Sequence, residues 1–419
     1  MTPGTPGIDF LFGLERFGMK FGLANMATLC RALNHPETAF PSIIVAGTNG
    51  KGSVTAMADT ALRAAGHRSA RYTSPHLQRI EERFVIDGRE VPPDTLEAVA
   101  SRVRAVVERL VASGELEALP TFFECTTAAA FELFRDARID VAVLEVGLGG
   151  RLDATNIVTP IAAAIVSIDF DHQVQLGDTL ASIAFEKAGV IKPGIPVVCG
   201  AMPGEALDVI ARVCTERDAV LVNAGEDAAL AARVAATPMA LEGAHQRANA
   251  AVAIRLLEAV NDLASPRIPV GPEAIRAGLA SAVWPGRLER CQWGGCHILL
   301  DAAHNPAGTR ALASYLEAAA PGGVTLVFGA MKDKSIAEML RPLAAVAREV
   351  ICTTAPTPRA QHADELARVA REAGLRAEAV VDPFEALTRA CSRERLVVVA
   401  GSIFLIGPVR EHLARDILR

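Results

Sequence analysis

A glycine-rich segment with one lysine and two hydroxyl side chains carries the strongest chemical signal in this sequence. It runs over Gly47–Ser53, directly after the apolar run Ser42–Ala46. Glycines let backbone N–H groups converge on phosphate oxygens, and a helix after the loop adds the positive end of its dipole. Lys51 can reach the outer phosphates of a nucleotide, while Thr48 or Ser53 can face a phosphate or its Mg²⁺.

The loop departs from the strict pattern G-x-x-x-x-G-K-[ST]. Val45 stands in the place of the first glycine, and Gly52 follows the lysine. A plain glycine-rich turn with a solvated lysine is the alternative. The order strand, loop and helix-like run Val54–Ala65 is the one that phosphate binding requires, and it favours a nucleotide site.

The composition indicates a globular enzyme rather than a nucleic-acid or membrane protein. The 419 residues are 51% hydrophobic and 21% charged, which is enough apolar material for more than one α/β core. A net charge of −6 without a basic run argues against nucleic-acid binding. The eight cysteines are scattered without a C-x-x-C pair, which predicts free thiols. With no signal peptide and no membrane-spanning run evident, we expect a cytoplasmic protein, and a monomer.

Apolar β-branched runs alternate with helix-like segments along the chain, which predicts a doubly wound α/β fold. The first series has strands at 42–46, 84–87, 141–146, 161–168 and 195–199, and helices at 54–65, 96–113, 126–138, 243–260 and 272–280. The Ala-rich stretch 224–240 is predicted to be a surface excursion of this domain. A second series has strands at 297–301, 324–328, 350–353, 377–381 and 396–400, and helices at 306–320, 335–347, 363–373 and 383–391.

Trp284–Arg287 breaks the alternation between the two series. We therefore expect a first domain over residues 1–284, a linker over 285–295 and a smaller α/β domain over 296–419.

Carboxylate, imidazole and hydroxyl side chains follow several of the predicted strands. Glu145 ends one strand, Asp169, Asp171 and His172 follow the next, and Ser74 lies in a loop after 69–72. Ligands bind outside the carboxyl ends of strands in open α/β sheets, and carboxylates there suit Mg²⁺. Taken singly, such residues often only cap helices, and His172 alone favours a structural role. Their shared edge with the phosphate loop favours a common site.

Lys187 lies in the segment Phe185–Ile191, where the pattern is that of an exposed helix lysine paired with an acid. Physical reasoning from the residues alone does not single it out.

These features, with several further motifs, resemble the Mur ligase superfamily, and within it the folylpolyglutamate and bifunctional dihydrofolate synthases. The family's form of the loop also explains both departures from the strict pattern. The motifs are Phe17–Leu23, Thr73–Leu77, Leu144–Asn156, Asp169–His172 with Leu176–Leu180, Glu186–Gly189, His245–Gln246 with Asn249–Ala250, Trp284–Glu289 and Asp301–Pro306. Ala302 stands where the family usually has glycine.

The resemblance implies a P-loop ATPase domain with a pterin site, followed by a Rossmann-like glutamate-ligase domain. It implies that ATP phosphorylates a pterin carboxylate, and that the amine of L-glutamate attacks the acyl phosphate. The small-molecule substrates would be dihydropteroate, reduced folates and L-glutamate, with ATP and one or two Mg²⁺ ions. The site would close when the two domains meet, which keeps water from the acyl phosphate.

Family roles carried over to matching positions give a site-residue set. Catalytic roles are implied for Lys51, a carbamylated Lys187 and His304. ATP contacts are implied for Thr48, Asn49, Gly50, Lys51, Gly52, Ser53, Asn249, Arg287 and Asp301. Metal ligation is implied for Ser74, Glu145, His172 and the modified Lys187.

Pterin contacts are implied for Thr121, Phe122, Phe123, Glu124, Leu152, Asp153 and Ala154. An aromatic ring can stack on a pterin, and a carboxylate can accept from its N–H groups. Core packing is the alternative for one of the two phenylalanines, because neighbouring side chains do not face one pocket. For His304 the alternative is a histidine at a helix start.

Three other function classes share part of this pattern. A cell-wall Mur ligase would lack the motifs 17–23 and 121–124, and a nucleotide kinase would not need the second α/β domain. A catalytically silent nucleotide-binding module would be expected to lack Lys51, Glu145 or His172. Within the folate reading, a monofunctional folylpolyglutamate synthase stays open.

Overall fold

The computed structural model describes residues 6–15, 22–116, 118–394 and 396–417. Most of the motif Phe17–Leu23 therefore lies outside the described residues. The chain divides into two compact units. The first comprises Met1–Ala240 with Arg247–Val283, and the second comprises Leu241–Gln246 with Trp284–Arg419.

The first unit is built on an eight-stranded sheet whose central strands are parallel. Its strands are β1 Ser42–Ala46, β2 Ser69–Tyr72, β3 Phe84–Ile86, β4 Arg89–Glu90, β5 Val141–Glu145, β6 Ala162–Ile165, β7 Pro196–Cys199 and β8 Val220–Asn223. The strand order is β4-β3-β2-β5-β1-β6-β7-β8. Only β3 pairs antiparallel with its neighbours, β2 and β4.

Helices cover both faces of this sheet, as the doubly wound pattern predicts. They are α1 Pro6–Gly13, α2 Ala24–Ala32, α3 Lys51–Ala64, α4 Pro93–Ala112, α5 Phe122–Asp136, α6 Gln173–Leu176, α7 Leu180–Ala188, α8 Gly204–Glu216, α9 Ala228–Ala235, α10 Ala244–Asn261 and α11 Pro272–Ser281. The first residues of α10 group with the second unit. In the described part of the chain, no helix has the length and apolar character needed to cross a bilayer.

The central strands form because they are apolar along their whole length. All five residues of β1 and all five of β5 are buried, as expected for parallel strands covered on both faces. One core cluster joins alternate residues of β2 and β5 to Phe131 and Phe134 of α5. A second joins β6 and β7 to the apolar faces of α7 and α8. This packing holds the carboxyl ends of four parallel strands at one edge.

The second unit contains a six-stranded sheet with helices α12–α16. Its strands are β9 Glu289–Trp293, β10 Cys296–Leu300, β11 Val324–Phe328, β12 Ala347–Cys352, β13 Ala377–Ala379 and β14 Leu396–Ala400, in the order β13-β12-β11-β14-β10-β9. The helices are α12 Pro306–Ala319, α13 Ile336–Leu343, α14 Ala363–Glu372, α15 Pro383–Arg393 and α16 Ile403–Ile417. Only β9 runs antiparallel. The predicted α/β class is therefore confirmed for both units.

Several predicted element bounds were wrong. The helix predicted at 126–138 begins at Phe122, because Thr121 and Glu124 cap its first turn. The helix predicted at 335–347 ends at Leu343, one residue after Pro342, and β12 begins at Ala347. The Ala-rich stretch 224–240 contains the short helix α9, which Asp227 caps.

Candidate active site

The phosphate-loop candidate lies between β1 and α3 and is held by the segment after β6. The Thr48 N–H donates to the Ser167 carbonyl (2.8 Å), and the Asn49 N–H donates to the Ser167 hydroxyl (3.0 Å). The Thr48 hydroxyl exchanges hydrogen bonds with the backbone of Asp169 (3.1 Å each way). Thr48 therefore anchors the loop, while Ser53 is buried within the first turn of α3.

Gly50 is the turning point of this loop. Its φ of +83° lies in the left-handed region, and α3 begins at the next residue. A Cβ atom at Gly50 would lie 2.3 Å from Asn249 Oδ1 and 2.8 Å from a Val166 methyl carbon. The structure thus places Asn249 of α10 directly against the loop.

Two lysine side chains converge on a single carbonyl oxygen of the loop. Lys51 Nζ donates to Gly47 O (3.1 Å) and, more weakly, to Thr48 O (3.4 Å). Lys187 Nζ donates to the same Gly47 oxygen (2.9 Å). The expectation that Lys187 is exposed was wrong, because this lysine is only 4% exposed.

Burial and charge repulsion make Lys187 an unusual lysine. Burial, and secondarily the charge of Lys51, lower the pKa of Lys187 to about 7, although Asp171 and Asp153 oppose the shift. A large fraction of this amine is therefore neutral near pH 7, and a neutral amine is the form that reacts with CO₂.

Ser74 and Glu145 meet at the ends of the neighbouring strands β2 and β5. The two strands pair in parallel with Tyr72 opposite Leu144, so the residues after them emerge together. The Ser74 N–H donates to Glu145 Oε2 (3.3 Å), and Glu145 is 5% exposed. This pair supplies a hydroxyl and a carboxylate at the same edge as the loop.

His172 is more exposed to solvent than Glu145. It precedes α6 with a φ of +50°, and its side chain is 38% exposed beside the Asp171 carboxylate (Nε2 to Oδ1, 3.9 Å). Over the described ranges, no three His, Cys, Asp or Glu side chains are grouped closely enough to hold a metal ion. The predicted metal ligands are Ser74, Glu145 and His172. Only two of these are His, Cys, Asp or Glu, so the search for groups of three does not test this set.

The predicted pterin segment forms the start of α5. The Glu124 carboxylate accepts from the Thr121 N–H (2.7 Å) and hydroxyl (2.9 Å), while the Glu124 N–H donates to the Thr121 hydroxyl (3.1 Å). This capping box uses Glu124 Oε2. The other oxygen, Oε1, is buried and has no hydrogen-bond partner in the protein.

The two phenylalanines of this segment face different neighbours, as adjacent helical residues must. Phe122 stacks on Phe12 (centroids 5.9 Å apart, 25° between planes) and lies under the Arg83 guanidinium at 5.0 Å. Phe123 packs against Tyr72 (5.9 Å) and fills the space at Gly147, where a Cβ would lie 2.6 Å from the Phe123 ring. Both rings are partly exposed.

Asp153 organises the loop after β5. Its carboxylate accepts from the Leu148 N–H (2.9 Å) and from the N–H and hydroxyl of Thr155 (3.0 and 2.6 Å). Burial raises its pKa, although these hydrogen bonds oppose the shift. Leu152 and the buried Ala154 flank it.

In the second unit, Asp301 ties together the two turns that carry Arg287 and His304. Its carboxylate accepts from the Leu288 N–H (3.0 Å) and the Ala303 N–H (2.9 Å). Burial raises the pKa of Asp301, while the nearby charges of Arg287 and His245 oppose the shift. The Arg287 guanidinium donates to the carbonyl of Gly286 (3.1 Å).

His304 has a defined tautomer. Its Nδ1 lies 2.8 Å from the Ala302 carbonyl, which can only accept, so Nδ1 carries the hydrogen. In the neutral ring Nε2 is then an acceptor. Ala302 is not among the residues with positive φ, so the alanine in place of the family glycine causes no backbone strain.

Some neighbours of the predicted site were not predicted. Ser167 anchors the loop, and Arg83, Tyr72 and Phe12 surround the pterin segment. Arg83 lies in the charged run Glu81–Arg83, which is typical of a solvated surface, so no sequence signal identified it.

Comparisons with known proteins identify the family and the fold of this chain. A family model described as the Mur ligase glutamate ligase domain matches residues 286–403. The dihydrofolate synthase/folylpolyglutamate synthase of Bacillus subtilis is 34% identical over 97% of this chain and 98% of its own length. A Haloferax volcanii protein, a probable bifunctional folylpolyglutamate synthase/dihydropteroate synthase, is 36% identical, but the chain spans only half of its length.

Solved structures of two relatives have the same fold over nearly the whole chain. Mycobacterium tuberculosis folylpolyglutamate synthase, complexed with ADP and AMPPCP, has a TM-score of 0.87 at 32% identity and covers 98% of this chain and 99% of its own. E. coli FolC, in complex with DHPP and ADP, has a TM-score of 0.87 at 30% identity and covers 99% and 100%. With full-length relatives above 30% identity, the chain belongs to the dihydrofolate synthase/folylpolyglutamate synthase family of Mur-type ligases.

Proposed function

We propose that this chain is an ATP-dependent ligase that joins L-glutamate to dihydropteroate, forming dihydrofolate, and to the γ-carboxylate of tetrahydrofolate. Each reaction would pass through an acyl phosphate and release ADP and phosphate. The convergence of Lys51 and Lys187 on the Gly47 carbonyl is the observation that carries the proposal. Lys51, with bound Mg²⁺, would supply the positive charge that two anions, a γ-phosphate and a carboxylate, need in order to meet, while the same carbonyl contact holds Lys187 beside the loop.

The proposal assigns roles to the loop residues. Thr48, Asn49, Gly50, Gly52 and Ser53 would surround the ATP phosphates with backbone N–H groups and hydroxyls, with Lys51 on the transferred phosphate. Asn249 would contact the nucleotide, as its packing against Gly50 supports. In the second unit, Arg287 and Asp301 would complete nucleotide binding.

The donor set at the strand ends fits a hard divalent cation. The Ser74 hydroxyl and the Glu145 carboxylate are oxygen ligands of the kind that Mg²⁺ prefers. His172 is a softer ligand and is included on the family pattern alone. A related folylpolyglutamate/dihydrofolate synthase is described with Mn, AMPPNP and L-glutamate bound. Bound Mg²⁺ would neutralise phosphate charge there.

Lys187 would act after carbamylation. The neutral amine forms an N–C bond with CO₂ and releases one proton, so that it becomes a carbamate anion. A protonated Lys187 must first lose its additional proton. The low pKa caused by burial supports this chemistry, because most lysines are fully protonated near pH 7. The carbamate oxygens could then bind a second Mg²⁺.

Separate groups of residues would bind the pterin and the glutamate. Thr121, Phe122, Phe123 and Glu124, with Leu152, Asp153 and Ala154, would hold the pterin. The buried, unsatisfied Glu124 Oε1 supports a role as acceptor for pterin N–H groups. His304, with Nε2 as acceptor, would orient phosphate or the incoming glutamate.

We also propose a division of labour between the domains, with residues 1–284 carrying the ATP and pterin sites and residues 296–419 the glutamate ligase function. A cytoplasmic monomer completes the proposal. The free thiol state of all eight cysteines supports a reducing compartment.

Phosphate release from ATP by the purified protein tests the proposal. The assay would contain Mg²⁺, bicarbonate and L-glutamate with dihydropteroate, with tetrahydrofolate, or with neither, and the products would be identified by mass. Turnover with both acceptors, each gaining one glutamyl unit, is expected. Turnover with tetrahydrofolate alone would reduce the activity to polyglutamylation, and the absence of any folate-dependent turnover would refute the proposal.

A further inference from the structure

Arg83 is a buried cation that the proposed mechanism does not use. It is 6% exposed, and among the described residues it forms no ion pair with a carboxylate. The carboxylates of Glu145 and Glu15 act on it only as longer-range charges. A buried charge of this kind is costly unless an opposite charge joins it, so the position favours an anionic ligand.

The contacts of Arg83 define its orientation. Its Nε donates to His76 Nδ1 (2.9 Å), and its guanidinium lies 5.0 Å from the Phe122 ring centroid. These partners are neutral, so they orient the guanidinium without cancelling its charge.

The contact with Arg83 also determines the tautomer of His76. A guanidinium has donors only, so His76 Nδ1 must accept and cannot carry a hydrogen. The ring is therefore neutral, and its single N–H is on Nε2. His76 is partly exposed and meets the edge of Phe12 (centroids 6.4 Å apart, 89° between planes). It thus presents a defined hydrogen-bond donor beside the Phe12–Phe122 pair.

This corner lies between two parts of the proposed site. Phe122 belongs to the pterin segment, whereas Ser74, two residues before His76 in sequence, contacts Glu145 at the proposed metal site. A pterin substrate extends from an uncharged ring system to a carboxylate that must reach the phosphate. Because the corner adjoins both the pterin segment and the segment of Ser74, it is a candidate contact for the carboxylate end of that substrate.

We propose that His76 donates its Nε2–H to the carboxylate of the pterin substrate, and that Arg83 is a positioning residue that fixes this tautomer and supplies positive charge. The inference rests on the proposed function and deepens it. It assigns carboxylate selection to residues distinct from those that hold the pterin ring.

Binding measurements with two ligands test this assignment. One ligand is dihydropteroate, which carries the carboxylate, and the other is 6-hydroxymethyl-7,8-dihydropterin, which lacks it. The proteins are the wild type, His76→Ala, His76→Gln, Arg83→Lys and the control Arg79→Lys, with thermal unfolding to verify folding. Arg79 is in the same segment, but its side chain is 60% exposed.

His76→Ala should weaken dihydropteroate binding about 10- to 100-fold, as expected for a hydrogen bond to a charged group, and change pterin binding less than about twofold. His76→Gln should restore much of the affinity, because its amide can donate from the Nε2 position. Arg83→Lys should weaken dihydropteroate selectively, and Arg79→Lys should change neither.

Equal losses for both ligands in His76→Ala, or no loss for either, would overturn the inference. A wild type that binds neither ligand and shows no folate-dependent turnover would instead refute the proposed function. A wild type that binds both, with variants that do not discriminate, would refute only the inference.

Discussion

Lys51 and Lys187, which are 136 positions apart in the sequence, donate to the same carbonyl oxygen, that of Gly47, at 3.1 and 2.9 Å. One carbonyl dipole cannot compensate the positive charges of the half-buried Lys51 and the buried Lys187, so burial and, secondarily, this repulsion favour loss of a proton from Lys187. The pKa of the buried Lys187 amine accordingly falls to about 7.

Carbamylation of Lys187 should follow pH with a definite sign. The amine reacts with CO₂ only when neutral, and its neutral fraction grows as pH rises through about 7. With ¹³C-bicarbonate, a carbamate resonance should therefore be strong at pH 8 and largely lost below pH 6. The resonance should be absent in Lys187→Met. A signal that persists in that variant, or that ignores pH, would refute the assignment.

Replacing Lys51 should affect both the chemistry and its neighbour. Lys51→Met is expected to lower ATP-dependent phosphate release about 100-fold or more, because it removes a preorganised cation. It should also raise the pKa of Lys187, since the charge of Lys51 contributes to lowering it. The matched control is Lys332→Met, whose exposed side chain donates to the Pro358 carbonyl (3.1 Å). Equal activities of the two variants would contradict the role of Lys51.

A comparison of two glycines separates local crowding from backbone strain. Gly50 and Gly66 both have positive φ, +83° and +91°, but only Gly50 would place a Cβ against other atoms. Gly66→Ala should cost roughly 1 kcal/mol of stability and leave ATP binding intact. Gly50→Ala should cost more and abolish the stabilisation by ATP that thermal unfolding detects. Retained ATP stabilisation in Gly50→Ala would show that the loop does not bind phosphate.

A buried ion pair remote from the proposed chemistry predicts a stability effect. The Asp59 carboxylate has no solvent exposure and pairs with Arg71 (3.2 Å) and Arg63 (3.4 Å). Asp59→Ala removes the buried carboxylate that both arginines contact and should destabilise the fold by about 3–5 kcal/mol in denaturant unfolding. Breaking the exposed pair Arg104–Glu108 with Arg104→Ala should cost less than about 1 kcal/mol. An equal loss of unfolding free energy in both variants would contradict a stabilising role for the buried Asp59 ion pairs.

Restoring the family glycine at position 302 should bring no gain. Ala302 is buried and does not need positive φ, so Ala302→Gly removes a packed methyl group and loosens the unfolded chain. We expect a loss of roughly 1 kcal/mol in stability and turnover within twofold of the wild type. A several-fold increase in turnover would show that the alanine distorts the turn.

The sequence predicts those parts of the fold that depend on local pattern. The apolar runs of β1, β5 and β11 and the glycine loop after β1 were recognisable because parallel strands are apolar throughout and phosphate loops need glycine. The meeting of Ser74 with Glu145 also followed, since both end strands of one sheet. The start of α5 was missed although Thr121-x-x-Glu124 is a recognisable capping box.

Other features depend on tertiary contacts that no local pattern encodes. Lys187 has the sequence context of an exposed helix lysine, and only its contact with Gly47 shows that it is buried. Arg83 follows two glutamates and looks solvated, yet it packs against Phe122. Side-chain partners such as these are set by packing between distant segments.

The central claim is that the reaction passes through an acyl phosphate. The most direct test is to trace the oxygen atoms of the substrate carboxylate. Dihydropteroate labelled with ¹⁸O at both carboxylate oxygens would be converted with ATP, Mg²⁺ and L-glutamate, and the released phosphate analysed by mass. An acyl phosphate predicts that one ¹⁸O enters each phosphate while one stays in the new amide. Amide formation with unlabelled phosphate would contradict the account.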